Sequence, residues 1–191
     1  MIEIRMHGRG GQGNVVAAYL LATAAFEEGR FSQAFPSFGA ERRGAPVASF
    51  VRIDDAPIRL RCQIRQPAFL IVQDPSLMHL PDVLSGLHEH GAIVVNSALS
   101  SDEWEAETGH AVIALPAARM AQETLGRPVP NAPLLAAFLT ATGLLETDAL
   151  EKALAERFTG KVLERNQELI RTAAGEVTPG QWKERLDATR A

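Results

Sequence analysis

The sequence predicts an α/β fold: a three-layer α/β/α Rossmann-like domain with a largely parallel, mixed sheet and a helical C-terminus. Three observations predict it. A strand candidate at residues 2–7 runs straight into the glycine loop Gly8-Arg9-Gly10-Gly11-Gln12-Gly13 and then into an alanine- and leucine-rich run. Three short apolar stretches, 68–72, 92–95 and 111–115, have the length and composition of strands buried on both faces of a parallel sheet. From Pro133 onward the pattern is helical, which places the remaining layer on the sheet.

Taken in order, Ile2, Ile4 and Met6 alternate on one face of the first strand. The run from Gln12 to Glu28 predicts a buried helix stopped by Gly29. Phe31 to Phe38 suits a strand that Pro36 turns into a surface loop over residues 37–46. Val47–Ile53 and Pro57–Cys62 flank the turn Asp54-Asp55-Ala56, a pattern that predicts a hairpin and an antiparallel excursion near residues 47–62. After the apolar run 68–72, Asp74 is positioned to cap a helix with Pro75 at its first position, running to about Glu89. Asn96 closes the next strand, and Ser100 with Glu103 has capping-box spacing. Residues 111–115 form the last strand, followed by a helix from Pro116 to about Leu125. Pro133–Leu145 is apolar all round and predicts a core helix. Leu150, Leu154 and Phe158 repeat at helical spacing, and Lys161–Ala174 is amphipathic. One domain over residues 1–175 is expected, with a polar tail at 176–191 whose single tryptophan, Trp182, is suited to docking on another chain.

A chain of 191 residues with 46% hydrophobic content is long enough to bury a core as a single domain. Its formal net charge of −4 supplies no positive field for nucleic acid or an anionic membrane. Among nineteen basic residues only Lys152, Lys161 and Lys183 are lysines. The rest are arginines, whose planar forks suit phosphate and carboxylate. Cys62 is the only cysteine, so this chain alone builds neither an internal disulfide nor an iron–sulfur cluster. With no signal-peptide pattern and no apolar run long enough to span a bilayer, the sequence reads as a soluble cytoplasmic protein.

Two stretches carry chemistry. Gly8-x-Gly10-x-x-Gly13, between a strand and a helix, satisfies the fingerprint in which small residues let backbone amides and a helix N-terminus approach a pyrophosphate. Arg9 and Gln12 add donors to that loop. The acid expected about 20 residues further on, to hold a ribose, has only Glu27 and Glu28 as candidates, and both look like helix-end residues. The second stretch is Pro36-Ser37-Phe38-Gly39-Ala40-Glu41-Arg42-Arg43-Gly44-Ala45-Pro46, an acid beside two arginines between glycine and proline. On its own it reads as a surface turn with a solvated ion pair, which usually has small energetic worth. His7 reads as a structural hydrogen-bonding group, His88 and His90 as a solvated helix end, and Cys62 as a buried, inert thiol.

Together the two stretches resemble the gamma subunit, or corresponding domain, of the 2-oxoacid:ferredoxin oxidoreductases, which act on pyruvate and related acids. Members typically carry G-x-G-G-Q-G after the first strand and later P-x-[FY]-G-x-E-x-R-G, here Gly8–Gly13 and Pro36–Gly44, in the same order and separation. The likeness continues more loosely through Ile71-Val72-Gln73-Asp74-Pro75 and Gly91–Asn96, covering most of residues 1–145. It implies a complex that decarboxylates a 2-oxoacid on thiamine diphosphate and passes electrons through iron–sulfur clusters to ferredoxin or a flavin subunit. The acyl group goes to coenzyme A. The resemblance places thiamine diphosphate and Mg2+ in alpha and beta subunits and the [4Fe-4S] clusters in a delta, ferredoxin-like subunit. To this chain it gives coenzyme A, held by Gly8, Arg9, Gly10, Gly11, Gln12 and Gly13, with Arg42 and Arg43 either on the cofactor or at a subunit interface through Glu41. No self-contained catalytic site and no metal site are expected. A stand-alone dinucleotide-dependent reductase and a purely structural subunit are the rival readings.

Overall fold

The computed structural model describes residues 1–37 and 44–190. Six strands form one sheet: β1 (Ile2–Arg9), β2 (Phe31–Pro36), β3 (Pro46–Asp54), β4 (Phe69–Val72), β5 (Ala92–Asn96) and β6 (Ala111–Leu115). Their order is β2-β3-β1-β4-β5-β6. β1, β4, β5 and β6 run parallel, whereas β3 lies antiparallel to both β1 and β2. The helices are α1 (Asn14–Glu27), α2 (Pro81–Leu84), α3 (Ser101–Thr108), α4 (Ala117–Leu125), α5 (Asn131–Thr142), α6 (Thr147–Ala155), α7 (Gly160–Gly175) and α8 (Lys183–Ala188). The three-layer α/β architecture with a mixed sheet and helical C-terminus is as expected. Among the described residues no helix is long and apolar enough to cross a membrane.

Strand alternation decides which residue meets which layer. Ile2, Ile4 and Met6 of β1, with Phe69, Ile71 and Val94, face a large core closed by α1 and the C-terminal helices. Leu70, Val72, Ile93 and Val95 point the other way, onto Leu77, Met78, Val83 and Trp104. α5 is buried at every position except Thr140, in keeping with its largely apolar sequence. Ser100 and Glu103 form the expected capping box at the start of α3.

Several expectations are corrected. Residues 57–62 form no strand and no hairpin, because both edges of β3 are already hydrogen-bonded, to β1 and to β2. The helix expected from Asp74 to Glu89 is broken. Asp74 does cap through its side chain, but it opens only a 3-10 turn, Pro75–His79, succeeded by the short α2. Leu80, preceding Pro81, is extended (φ −85°, ψ 128°), as the proline ring demands of its predecessor. His88 and His90 therefore lie in a turn rather than at a helix end, with the His90 amide donating to His88 Nδ1. Cys62 is exposed rather than buried, beside Arg52, whose guanidinium donates to the Cys62 carbonyl. The tail also behaves differently from a docking arm for another chain. Trp182 is buried in this chain's own core, stacked on Phe69 with ring centroids 6.2 Å apart. Its amide donates to Ala141 O of α5.

Candidate cofactor-binding site

In an open α/β sheet the crevice forms at the carboxyl ends of the strands, where the strand order reverses. Here that point lies between β1 and β4. The chain leaves β1 for β2 and β3 on one side, and continues from β4 to β5 and β6 on the other. The ends of these two strands bring together Gly8–Gly13 and Gln73-Asp74-Pro75-Ser76.

Gly8 and Arg9 are the last residues of β1, and Gly13 caps α1 from the left-handed region (φ 77°, ψ 26°) without a side-chain hydrogen bond to the helix. A Cβ at Gly8 would fall 2.9 Å from Gln73 Oε1 and 3.3 Å from Asn14 Cβ, so the Gln73 side chain would have to shift. At Gly13 it would fall 2.7 Å from Asn131 Nδ2. The loop is thus packed tightly from beneath, while the start of α1, with its amides and the positive end of its dipole, carries no capping side chain. Gly10 is strapped to the segment entering β3: its amide donates to Ala45 O (2.9 Å) and its carbonyl accepts from Gly44 N (3.1 Å). Arg42 and Arg43, with Glu41, lie outside the described residues.

Arg9 is held by the end of β4. Its Nε donates to Asp74 Oδ2 at 2.7 Å, one terminal nitrogen to Ser76 Oγ at 2.7 Å, and the other to Gly44 O at 3.1 Å. Gln12 completes the brace: Oε1 accepts from the Arg9 amide (2.7 Å) and Nε2 approaches Asp74 (3.4 Å). Partial burial raises the Asp74 pKa, but hydrogen bonds from Ser76 and Arg9 and the arginine's charge outweigh it and hold the carboxyl below its ordinary value. Arg9 therefore meets any anion in the crevice with its charge already balanced by a carboxylate.

Four buried polar atoms around the loop have no protein partner: Asn14 Oδ1, Gln73 Nε2 and Oε1, and Asn131 Oδ1. Asn14 Nδ2 donates to Met6 O, Val47 O and Ser49 Oγ, and Asn131 Nδ2 donates to Gly13 O (2.9 Å). Leaving a buried donor or acceptor unpaired costs about 1–3 kcal/mol, so a concentration of them marks a place completed by water or ligand. None of the three carboxamides stands out as a site residue in the sequence. Gln73 has a faint signal there, as a polar residue ending a buried strand at the switch point; Asn14 and Asn131 have none, since only the folded chain brings them to the loop.

Two depressions are distinct in character. A cleft of about 220 Å3 opens beside the loop, lined by Gly11, Gln12 and Gly13 and by apolar side chains of the helical layer. A broader, open hollow of about 660 Å3 lies elsewhere, around Arg52, Cys62 and Arg65, and includes no residue of the loop. His7 is structural, as expected. Burial first, and the neighbouring Arg5 charge second, push its pKa down to about 3, and its neutral Nε2 accepts from Arg5 Nε at 3.0 Å. Among the described residues no group of three or more His, Cys, Asp or Glu side chains is placed to hold a metal ion.

The model of the pyruvate ferredoxin/flavodoxin oxidoreductase family matches residues 3–176. The chain belongs to this family. It is 49% identical over 177 residues to the pyruvate synthase subunit PorC of Methanothermobacter thermautotrophicus, covering 93% of this chain and 96% of that relative. It is 47% identical over 176 residues to the pyruvate/ketoisovalerate oxidoreductases common subunit gamma of Pyrococcus abyssi, covering 91% and 95% respectively. The crystal structure of the pyruvate oxidoreductase subunit PORC of Thermotoga maritima superposes with a TM-score of 0.82 at 34% identity, covering 91% of this chain and 95% of that one. The family match spans the glycine loop, β4 and the positions of the three carboxamides.

Proposed function

We propose that this chain is the gamma subunit of a thiamine-diphosphate- and iron–sulfur-dependent 2-oxoacid oxidoreductase complex, and that Gly8–Gly13 hold the phosphates of coenzyme A. The carrying observation is the start of α1. At the sheet's switch point its first turn has no capping side chain, behind a glycine loop against which the Gln73 and Asn131 carboxamides pack at Gly8 and Gly13. That arrangement fits a phosphate. Coenzyme A supplies a thiol that takes the acyl group. This chain's part is to hold the non-reacting end while the thiol reaches alpha and beta subunits carrying thiamine diphosphate and Mg2+. A delta, ferredoxin-like subunit with [4Fe-4S] clusters would pass electrons to ferredoxin or a flavin subunit. Membership in a family whose relatives are named as subunits supports the assignment. The name of the Pyrococcus abyssi relative, a subunit common to pyruvate and ketoisovalerate oxidoreductases, supports a role in which this chain does not read the 2-oxoacid side chain.

A dinucleotide-dependent reductase fits less well. Its ribose carboxylate belongs at the end of the strand next to β1, after the first helix. Here β3 separates β2 from β1, β2 ends in Pro36, and Glu28 accepts from the Glu146 amide instead. Gly11→Asp in the assembled complex tests the phosphate cradle. Gly11 faces open space at φ 94°, where any side chain strains the backbone, so Gly11→Ala serves as the control for strain and Gly11→Asp adds the charge. The KM for coenzyme A should rise by about tenfold or more while that for the 2-oxoacid holds. An unchanged KM for coenzyme A would remove the loop from the cofactor site.

A further inference from the structure

The sheet is covered unevenly. β1, β2 and β3 have α1 on one face, where Val51 and Ile53 of β3 enter the core. Alternation turns Phe50 and Arg52 to the other face, and no residue of these three strands joins the apolar cluster on that side. Residues 57–66 lie against it instead, an arm with no helix or strand of its own. The arm is pinned where Arg52 Nη2 donates to Cys62 O (2.8 Å), where Ile64 is buried, and where the Arg65 carbonyl rests against Gly86 too closely for a Cβ. Between these pins Arg59 to Gln63 are exposed without interruption, Leu60 by 46%. Among the described residues the arm's backbone has no backbone hydrogen-bond partner. Arg59, Arg61 and Arg65 make no ion pair there either. The nearby acids are already engaged: Glu3 with Arg52 (2.7 Å), Asp54 with the N-terminus (3.6 Å) and Asp55 with Arg30 (2.6 Å). In a chain of net charge −4 the arm is a patch of the opposite sign.

We propose that the arm, with the open hollow of about 660 Å3 between it and the Glu3–Arg52 pair, docks an acidic segment of a partner subunit. Arg59, Arg61 and Arg65 meet its carboxylates through their planar forks, and Leu60 meets an apolar side chain beside them. The proposal rests on the reading of this chain as a subunit and is independent of the phosphate cradle. A polypeptide fits better than a nucleic acid or a loose anion. Another main chain can pair the arm's backbone groups, Leu60 gains nothing from an anion, and the negative charge of the whole chain opposes a polyanion at long range. The hollow includes no residue of the glycine loop, so a partner seated there leaves the cofactor cleft open.

Cys62, the only cysteine in the chain, is exposed and lines the hollow, so it reports on this surface. Iodoacetamide should alkylate it about tenfold more slowly in the assembled complex than in the isolated full chain, because an interface excludes solvent from its centre. Arg59→Glu/Arg61→Glu should weaken binding to the other subunits by about tenfold or more, less so at high salt, whereas Arg59→Lys/Arg61→Lys should bind nearly as well. The lysine pair also reads the partner's chemistry: a carbodiimide, which joins amines to carboxylates, should link position 59 or 61 to Asp or Glu of another subunit. Equal alkylation in the intact complex and the isolated chain would remove the docking surface and leave the subunit reading standing. Protection of Cys62 with no effect of charge reversal, or with no carboxylate crosslink, would overturn the acidic partner. Protection that appears in the isolated chain as its concentration rises would put a second copy on the arm instead. A chain that never associates with other subunits would sink this proposal and the gamma-subunit reading together. Should the charge-reversed chain fail to fold, alkylation and crosslinking decide alone.

Discussion

Arg9 and Asp74 set the charge at the proposed phosphate cradle. With Asp74 in place, the guanidinium is oriented by three partners but largely neutralised. Asp74→Asn keeps the shape and a hydrogen-bond acceptor while removing the counter-charge, so the KM for coenzyme A should fall, or at least not rise. Arg9→Ala should raise it several-fold. Opposite signs in steady-state kinetics of the two variants would place Arg9 on the ligand, and a rise in both would make the pair a structural brace only. His7 makes a separate prediction, on stability. Its pKa of about 3 in the fold lies below the ordinary value of 6.5, so the unfolded chain binds the extra proton first. Stability is therefore complete above about pH 6.5 and is lost as pH falls from there towards 3. Between pH 6.5 and pH 5 that amounts to about 2 kcal/mol, which His7→Gln should abolish in denaturant titrations at the two pH values. The glycines were legible in the sequence because their requirement is local: a strand end, a helix start and, at Gly11 and Gly13, a positive φ. Gln73, Asn14 and Asn131 were not, because a carboxamide reveals itself only when its neighbours fail to satisfy it.

Secondary structure was most legible where the signal was self-contained. The capping box of α3 and the largely apolar run of α5 depend on a few adjacent residues. The strand assigned to residues 57–62 failed for a non-local reason. Alternating isoleucine, leucine and arginine satisfies a strand pattern, yet β1 and β2 already occupy both sides of β3. The long helix after Asp74 failed at Pro81, whose effect on Leu80 the pattern alone underweighted. The polarity of the C-terminal segment concealed three buried side chains, Val177, Trp182 and Leu186. Trp182→Ala should destabilise the chain by about 3–5 kcal/mol, as loss of a buried aromatic does, with a matching fall in the denaturation midpoint. A change under about 1 kcal/mol would mean that the tail packs more loosely than its stacking on Phe69 implies.

The molecule as a whole leaves apolar surface uncovered. α1 is apolar on every side, and while Leu20, Leu21, Ala24 and Ala25 enter the core, Tyr19 is 46% and Phe26 71% exposed. Phe31, at the start of edge strand β2, is 46% exposed. Produced without other subunits, the chain should self-associate with rising concentration, and Phe26→Glu should suppress this in light scattering. No sequence pattern distinguishes the core side of such a helix from its outer side, because both are equally hydrophobic.

The strap between Gly10 and the segment Gly44-Ala45 joins two stretches that lie far apart along the chain. Two backbone hydrogen bonds across that gap make the opening of either stretch an opening of both. Amide protons of Gly10 and Gly44 should accordingly exchange with solvent at matched rates. A ligand that presses only on the glycine loop should protect the two alike, transmitting its hold to the foot of β3 without touching it.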